Sequence, residues 1–515
     1  MEQGKVYLVG AGPGDPGLIT VKGAERIEKA DVILFDRLVN PALLQNRKKT
    51  CELVRAGKSP SREALGQEEI NRLLIEKARE GKTVVRLKGG DPYLFGRGGE
   101  EALALAEAGI DFEVVPGVTA VIAAAAYAGI PVTHRELSST LTIATGHEDP
   151  AKTEGMVDWS KIASVGGTAA VYMGVKRLAE ITDGLTKGGM PPDTPAAVIQ
   201  EGTSPSQKTV VGTVSTIAAL AAKTGITPPA LSIFGEVVNL REKLKWFEKL
   251  PLFGKTIVIT RATEQAEEMI RRLTELGAEA VLLPTIKILP LEDWRPVDDA
   301  IENLRRFVWI IFTSVNGVEA FLDRLLAVGR DARALHGIRL CAIGPVTAER
   351  LKKYYLKVDC QPEEYTSKEI IFALEKSGGV RAKCFLLPRA DIATPELPDA
   401  LRALGGCVSD VAVYRTVKGI DDSMAVLMYE ELLKTGKAAY ITFTSSSTAR
   451  NFASYFTAEQ LRDIAAKSRI ASIGPATSAM LREIALPPHL EAKEHTVSGL
   501  IDAILSDSSD LSDKS

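Results

Sequence analysis

The sequence is short of the residues that build metal centres and disulfide frameworks. Its five cysteines, Cys51, Cys341, Cys360, Cys384 and Cys407, lie far apart and form no Cys-x-x-Cys pair. Its five histidines, at 134, 147, 336, 489 and 495, show no His-x-x-x-His spacing. A structural zinc site draws on closely spaced ligand pairs, so no metal is expected. An excess of one charge is missing too. Sixty-three Lys and Arg stand against 66 Asp and Glu, a formal net charge of −3. That balance argues against a dedicated binder of nucleic acid or of an anionic membrane surface, and leaves room for a local basic cleft. Long apolar runs are absent. Ala120-Val121-Ile122-Ala123-Ala124-Ala125-Ala126 stops well short of a bilayer span and Gly129-Ile130-Pro131 follows, so a buried core helix is expected there. The N-terminus has no basic segment leading into an apolar run, which places the protein in the cytoplasm by default.

What is present is an ordinary globular composition, 45% hydrophobic and 25% charged over 515 residues. That length holds several domains, about two to four. Val6-Tyr7-Leu8-Val9 reads as a buried strand, Gly10-Ala11-Gly12-Pro13-Gly14-Asp15-Pro16-Gly17 as a tight turn, and Leu18-Ile19-Thr20 as the opening of a helix over 18–29. A strand, a glycine-dense turn and a helix make a ligand cradle at the carboxyl edge of a sheet. The spacing is not the G-x-G-x-x-G of a dinucleotide site. Pro13 removes an N–H that a pyrophosphate would use, and Asp15 adds a negative charge. The turn therefore suits a close backbone approach to a ligand without phosphates.

The pattern recurs. Asp31-Val32-Ile33-Leu34-Phe35 reads as a strand ending at Asp36, and a short strand over 51–54 ends in Ala56-Gly57-Lys58. Gln67 starts a helix to about Glu80, and Thr83-Val84-Val85-Arg86-Leu87 runs into Lys88-Gly89-Gly90-Asp91-Pro92-Tyr93-Leu94-Phe95-Gly96-Arg97-Gly98-Gly99-Glu100. A helix to about Ala108 follows, and Phe112-Glu113-Val114-Val115 meets Pro116-Gly117-Val118-Thr119-Ala120. Gly12, Asp36, Lys58, Asp91 and Thr119 thus fall at strand ends and can line one edge of one sheet. A second unit from 136 carries strands ending at Gly146-His147, Met173-Gly174 and Gly202-Thr203, with 208–213 and 230–235 completing a mixed sheet. Residues 239–249 read as a terminal helix and linker, with Leu240, Leu244, Phe247 and Leu250 on its apolar face.

From 254 the chain repeats itself. Lys255-Thr256-Ile257-Val258-Ile259-Thr260-Arg261 matches Lys383-Cys384-Phe385-Leu386-Leu387-Pro388-Arg389, and Leu276-Gly277-Ala278 matches Leu404-Gly405-Gly406. Trp309-Ile310-Ile311-Phe312-Thr313-Ser314 matches Tyr440-Ile441-Thr442-Phe443-Thr444-Ser445, and Ala342-Ile343-Gly344-Pro345-Val346-Thr347 matches Ser472-Ile473-Gly474-Pro475-Ala476-Thr477. Two similar α/β lobes of parallel strands and helices are expected, with a ligand cleft between them. Its candidate lining is hydroxyl-rich: Thr313, Ser314, Thr347, Tyr414, Thr444, Ser445, Ser446 and Thr477. No Ser-His-Asp arrangement accompanies them. A short polar tail over 506–515 is expected to fray.

Each candidate also has a plainer reading. Asp15 suits an N-cap, Asp36 a structural partner of Arg37 or Arg86, and Lys58 a solvated loop charge. Asp91-Pro92 is a turn signature, Arg97 and Glu100 an i, i+3 helix pair, and Met173 a core residue. Thr347 and Thr477 suit helix caps, and Tyr414 a core position or a proton donor. Together the first set suits a cationic, partly apolar cofactor such as a sulfonium.

Residues 4–240 closely resemble the uroporphyrinogen-III C-methyltransferases of the tetrapyrrole methylase family. The resemblance rests on Val9–Pro16, Phe35-Asp36-Arg37-Leu38-Val39, Val85–Pro92, Phe95–Glu100, Val115–Ala120, Tyr127–Arg135 and Tyr172-Met173-Gly174. It implies S-adenosylmethionine as methyl donor and methylation of two ring carbons of uroporphyrinogen III to give precorrin-2. By that likeness Pro13, Gly89, Gly90, Asp91, Leu94, Thr119, Ala120, Met173 and Gly202 hold the cofactor. Asp36 and Lys58 match acid–base positions, and Arg97 and Glu100 match residues acting at the substrate. One departure stands out. The family continues Gly-Lys with an arginine and, soon after, a histidine, whereas this chain has Ser59-Pro60-Ser61-Arg62-Glu63-Ala64-Leu65-Gly66.

Residues 254–505 look like uroporphyrinogen-III synthase, through the Phe-Thr-Ser strand ends, Val413-Tyr414-Arg415-Thr416 and Ile473–Thr477. The likeness implies that Tyr414 helps hydroxyl departure from hydroxymethylbilane and that Thr477 binds substrate. Thr313, Ser314, Thr347 and Ser445 join it as cleft hydroxyls. The expected organisation is an α/β chain: a two-domain methylase fold (1–135 and 136–240), a linker (241–253), and a two-lobed synthase module with an internal repeat (254–286 with 418–505, and 287–417). Family likeness adds a homodimer through the methylase. Tetrapyrroles are the expected partners, with no nucleic acid and no membrane. The rivals are a methylase of a later precorrin, a nucleotide-dependent oxidoreductase, and a two-lobed tetrapyrrole-binding module without turnover.

Overall fold

Five apolar runs near the N-terminus form one sheet. These are β1 (Val6–Gly10), β2 (Val32–Phe35), β3 (Glu52–Arg55), β4 (Val84–Lys88) and β5 (Phe112–Val115), in the order β3-β2-β4-β1-β5. All four of its neighbouring pairs are parallel. The computed structural model describes residues 3–45, 47–48, 50–56, 65–146, 157–362, 367–420 and 422–512. A parallel sheet must be covered on both faces. Leu8, Leu34 and Val84 meet helices Gln67–Arg79 and Gly98–Glu107 on one side. Val9, Ile33, Val85 and Leu87 meet Ile27 of helix Val21–Lys29 on the other. Because all five strands run the same way, the loops after β1, β2, β4 and β5 gather at one edge.

That first helix starts later than the sequence suggested. Pro16–Leu18 forms a separate 3-10 turn capped by Asp15, and Thr20 then caps helix Val21–Lys29 by accepting from the Gly23 N–H at 3.1 Å.

The next sheet has the order β6-β7-β10-β8-β9, with β6 (Leu141–Thr145), β7 (Thr168–Tyr172), β8 (Pro195–Gln200), β9 (Lys208–Thr213) and β10 (Ala230–Phe234). β6 and β7 are parallel, and the remaining pairs are antiparallel. Helix Ala120–Tyr127 packs Val121, Ala124 and Ala125 onto Ala170, Ala197, Ile199 and Leu231 of this sheet. The stretch after β10 is not one helix. It breaks into Glu236–Leu240, Arg241–Leu244 and Phe247–Lys249, and Leu244 is exposed while Phe247 is buried.

The chain divides into two units. One holds Met1–Ile257, Arg271–Ala280 and Leu505–Ser515; the other holds Val258–Ile270 and Val281–Ile504. The second is built on two five-stranded sheets. One has the order β12-β11-β18-β19-β20, with β11 (Thr256–Ile259), β12 (Glu279–Leu282), β18 (Ala438–Phe443), β19 (Arg469–Ser472) and β20 (Leu490–Glu491). The other has the order β13-β17-β16-β14-β15, with β13 (Ile286–Leu289), β14 (Trp309–Phe312), β15 (Arg339–Ala342), β16 (Cys384–Ala390) and β17 (Cys407–Lys418). The expectation of parallel strands fails at β13. β13 pairs antiparallel with the far end of the long β17, whose first half runs parallel to β16. Of the tail expected to fray, 506–512 is the end of a helix, Val497–Ser512, that buries Leu500, Ile501, Ile504 and Ser508, and 513–515 lie outside the described residues. Among the described residues no helix is long and apolar enough to cross a membrane.

Candidate functional site

The carboxyl edge of the first sheet is floored by main chain. Gly12 and Gly90 exchange backbone hydrogen bonds, Gly12 N–H to Gly90 C=O at 3.3 Å and Gly90 N–H to Gly12 C=O at 2.8 Å. The Gly12 N–H is therefore committed and offers nothing to a phosphate. Gly10, Gly90 and Gly117 meet backbone to backbone. A Cβ on Gly10 would lie 2.5 Å from Gly117 Cα and 2.6 Å from the Gly90 carbonyl oxygen. Asp91 fastens this floor, accepting from Tyr93 N–H at 2.8 Å and from Gly117 N–H at 3.0 Å. Its carboxylate thus makes the turn that Asp-Pro promised.

The remaining walls come from the second sheet. Tyr172 accepts from Val121 N–H at 2.7 Å, lies 2.6 Å from the Thr119 hydroxyl, and stacks its ring 5.2 Å from Phe95. Burial pushes the Tyr172 phenol up against the hydrogen bonds from Thr119 and Val121. Asp15 receives the Tyr127 hydroxyl at 2.6 Å while its N–H donates to the Thr203 hydroxyl at 3.1 Å. Burial first, then Asp15, raises the Tyr127 phenol. Gly202 presses so closely on Ala124 that a side chain there would collide with the Ala124 methyl.

Backbone strain gathers here. Phe95, Arg97, Met173, Glu201 and Thr203 have φ of 53°, 58°, 53°, 48° and 70°. Non-glycine residues held in this region commonly mark ligand clamps. Met173 is 48% exposed, so the core reading of it is corrected: it stands at the rim. Leu94 is half-buried, as are Gly89, Gly90, Thr119 and Ala120, and Pro13 lies in the turn facing them in sequence order.

Asp36 ends β2 and is 32% exposed at its side chain. Its partner is Arg86, not Arg37. Arg86 donates to Asp36 Oδ1 at 2.5 Å and to Glu101 Oε1 at 3.0 Å. Lys88 donates to the same Glu101 oxygen at 3.0 Å and lies 3.9 Å from Asp36 Oδ2. Glu101 is fully buried, and Gln67 also donates to its Oε1 at 3.2 Å. Burial and then Arg86 hold the Lys88 ammonium below its ordinary value, against the pull of Glu101 and Asp36. Arg97 and Glu100 make an exposed two-pronged pair, 2.9 and 2.6 Å, at the start of helix Gly98–Glu107, and that pairing lowers the Glu100 carboxyl. Lys58 and Arg62 lie outside the described residues.

Sequence reasoning passed over Lys88 and Glu101. The signal was available: Arg86 and Lys88 sit two apart in an otherwise apolar strand, so both point to one buried face. Such a pair demands a buried counter-charge, and Glu101 is the acidic residue on the helix covering that face.

In the second unit, Tyr414 lies buried on β17 with its hydroxyl 3.2 Å from that of Ser314. Burial raises its phenol, opposed by Ser314 and Asn316 and assisted by Asp391. Ser314 caps helix Val315–Ala327, accepting from Gly317 N–H at 3.0 Å, and Thr313 beside it is half-buried. Ser445 caps helix Ser446–Ala453 in a capping box with Thr448. The cap reading of Thr347 and Thr477 is corrected. Gly344 and Gly474 occupy the N-cap positions, with no side-chain cap, and both threonines are buried in the first turns that follow Pro345 and Pro475. Ser446 donates to Ala476 C=O at 3.0 Å, tying two of these helix starts together. Among the described residues there is no group of three metal-ligating side chains.

The comparisons divide along the chain. A family model described as "Tetrapyrrole (Corrin/Porphyrin) Methylases" matches residues 5–218, and one described as "Uroporphyrinogen-III synthase HemD" matches residues 267–502. "Porphyrin biosynthesis protein HemD" of Ruminiclostridium josui is 39% identical over 508 residues, 98% of this chain and 98% of that protein. The "S-adenosyl-L-methionine-dependent uroporphyrinogen III methyltransferase" of Methanosarcina barkeri is 52% identical over 241 residues, 47% of this chain and 94% of that protein. A crystal structure of uroporphyrin-III C-methyl transferase from Thermus thermophilus complexed with S-adenyl homocysteine is 41% identical. It covers 46% of this chain and 100% of that one, with a TM-score of 0.40.

Proposed function

Because the chain belongs to the family in which a tetrapyrrole methylase and a uroporphyrinogen-III synthase share one polypeptide, we propose that it makes uroporphyrinogen III and methylates it. The synthase half closes hydroxymethylbilane with inversion of ring D. The methylase half transfers two methyl groups from S-adenosylmethionine to give precorrin-2. The observation that carries this reading is the similarity to one porphyrin-biosynthesis protein along 98% of both chains, so both halves are present together.

The site suits a donor without phosphates. The floor leaves no anion nest, because the Gly12 N–H is already bonded to Gly90. Pro13, Gly89, Gly90, Asp91, Leu94, Thr119, Ala120, Met173 and Gly202 would hold the donor. When bound it supplies a methyl group already activated on a sulfonium. The chain's task is then to hold the reacting carbon in line and to take a proton from the methylated substrate. Asp36 is the base in this reading, half-open at the strand end with one oxygen fixed by Arg86. Arg97, Glu100 and Lys58 would act at the substrate, whose eight carboxylates suit basic partners. A homodimer through the methylase half completes the proposal.

In the synthase half Tyr414 would donate a hydrogen bond to the departing hydroxyl, and its raised phenol stays protonated at neutral pH. The bridge-bearing carbon of ring D attacks the resulting azafulvene cation to give a spiro intermediate, whose old bridge bond then breaks and re-forms at the free ring D carbon with loss of a proton. Thr313, Ser314, Thr347, Ser445 and Thr477 would hold the flexible chain folded.

The test supplies purified full-length protein with hydroxymethylbilane and S-adenosylmethionine under anaerobic conditions and follows products by absorbance and mass. Precorrin-2 without added synthase supports both halves. Uroporphyrinogen I, methylated or not, refutes the synthase assignment. Unmethylated uroporphyrinogen III refutes the methylase assignment.

A further inference from the structure

The cluster behind Asp36 is costly to build. Arg86 and Lys88 are each 2% exposed and Glu101 is fully buried. Buried ion groups generally stabilise a fold less than well-packed apolar residues of the same volume. Their strand neighbours Val84, Val85 and Leu87 show that apolar side chains suit this sheet. The cluster is also unevenly satisfied. Three donors, from Arg86, Lys88 and Gln67, converge on Glu101 Oε1, while Oε2 is buried with no hydrogen-bond partner among the described residues. The loop after Asp91 closes over it, so that a Cβ on Gly96 would lie 3.4 Å from Lys88 Cε. An arrangement made for stability alone would not strand one carboxylate oxygen in the interior.

Its direction is informative. Arg86 occupies Asp36 Oδ1 at 2.5 Å, and Lys88 faces Oδ2 from 3.9 Å, too far for a hydrogen bond and near enough to act through charge. We propose that Lys88, held by Glu101, is a positioning residue that sets the charge around Asp36 and leaves its Oδ2, without a hydrogen-bond partner among the described residues, to take the substrate proton. This rests on the reading of Asp36 as the base. Glu101 anchors both cations through one oxygen and so fixes how much positive charge faces Asp36. The charged groups bearing on Lys88 are Arg86 on its own strand, Glu101 and Glu100 on the covering helix, and Asp36 at the end of β2. Lys58 falls outside the described residues.

Two substitutions in the full-length chain should move the pH profile of methyl transfer in opposite directions. Lys88→Met removes a cation near Asp36, so the acid limb moves up by about one pH unit, the effect of a unit charge about 4 Å from a partly solvated carboxylate. Glu101→Gln removes an anion and leaves both cations unbalanced, so the acid limb moves down by a similar amount. Lys88→Arg keeps the charge and restores the limb toward wild type. Infrared difference spectra against Asp36→Asn, taken without methyl donor, should show the same two opposite displacements of a carboxylate band. Calorimetric binding of S-adenosylhomocysteine reports folding. If Lys88→Met does not fold, Glu101→Gln and Lys88→Arg decide. Limbs that stay in place, or that move together, overturn the inference. Full methylation by Asp36→Asn overturns instead the assignment of the base itself, so the two failures are distinguishable.

Discussion

Replacing Gly117 with alanine should cripple the methylase half while sparing the other activity. The new Cβ would strike the Gly90 carbonyl oxygen and lie 2.7 Å from Gly10 Cα, with backbone on both sides and no side chain able to swing away. One of the two loops must move. Forcing a methyl group into a packed site costs about 1–3 kcal/mol. Displacement of Gly90 also threatens its paired bonds with Gly12, at 3.3 and 2.8 Å, and the bond from Gly117 N–H to Asp91 at 3.0 Å. A neutral bond contributes about 1 kcal/mol and one to a carboxylate about 2 kcal/mol. Even partial loss gives about 3 kcal/mol, which is roughly a hundredfold in donor affinity if it falls on binding. Titration calorimetry with S-adenosylhomocysteine reads that loss, and ring closure of hydroxymethylbilane in the same preparation reports the other half. Gly99→Ala is the control, because nothing lies within 4 Å of its Cβ. Wild-type affinity in Gly117→Ala would refute the close-contact floor.

Tyr414→Phe should lower the rate of uroporphyrinogen III formation about tenfold or more and raise the share of the type I isomer, measured by chromatography of the oxidised products. Because burial raises its phenol, wild-type turnover should show no loss from this group below about pH 10, the ordinary tyrosine value. Thr260→Val should cost about 1 kcal/mol of stability, read as a lower melting temperature, by removing the hydroxyl that donates to Thr442 C=O at 2.7 Å between β11 and β18. Burial alone would raise the Glu248 carboxyl, but bonds from Arg241, Gln207 and Thr209 outweigh it and the net shift is downward. Its stabilising contribution is therefore present above the unfolded value of about 4.3 and fades as pH falls through the lowered one. Melting curves of wild type and Glu248→Gln should differ at pH 7 and converge toward pH 3.

The strand ends were legible because buried parallel strands leave apolar runs and their loops leave glycines. Val6–Gly10 with its turn, and Val84–Lys88 with Gly89-Gly90, are such places. The paired lobes were legible through repetition: Phe312 and Phe443 both end strands beside Thr-Ser and a capped helix. Other features depend on partners distant in sequence. Arg86 and Lys88 announce that a buried counter-charge is needed but not which one, since the bond to Glu101 forms only when helix Gly98–Glu107 covers the sheet. The antiparallel seam between β13 and the end of β17 joins Ile286 to Lys418, and local pattern carries no trace of it. The last helix was misread from its serines and aspartates. Leu500, Ile504 and Ser508 recur every four residues, so the buried stripe runs on into the polar end, where Ser508 faces the Pro251 carbonyl.

A floor made of main chain has a consequence for how this protein can change over generations. Where peptide groups of Gly10, Gly12, Gly90 and Gly117 touch directly, no graded series of side chains is available, and each exchange is all or nothing. Novelty must enter from the rim, where Leu38, Tyr93 and Phe95 stand exposed and can be swapped one by one. If the proposed donor sits on this floor, its seat is inherited whole, while the mouth above it is free to be recut for a different ring.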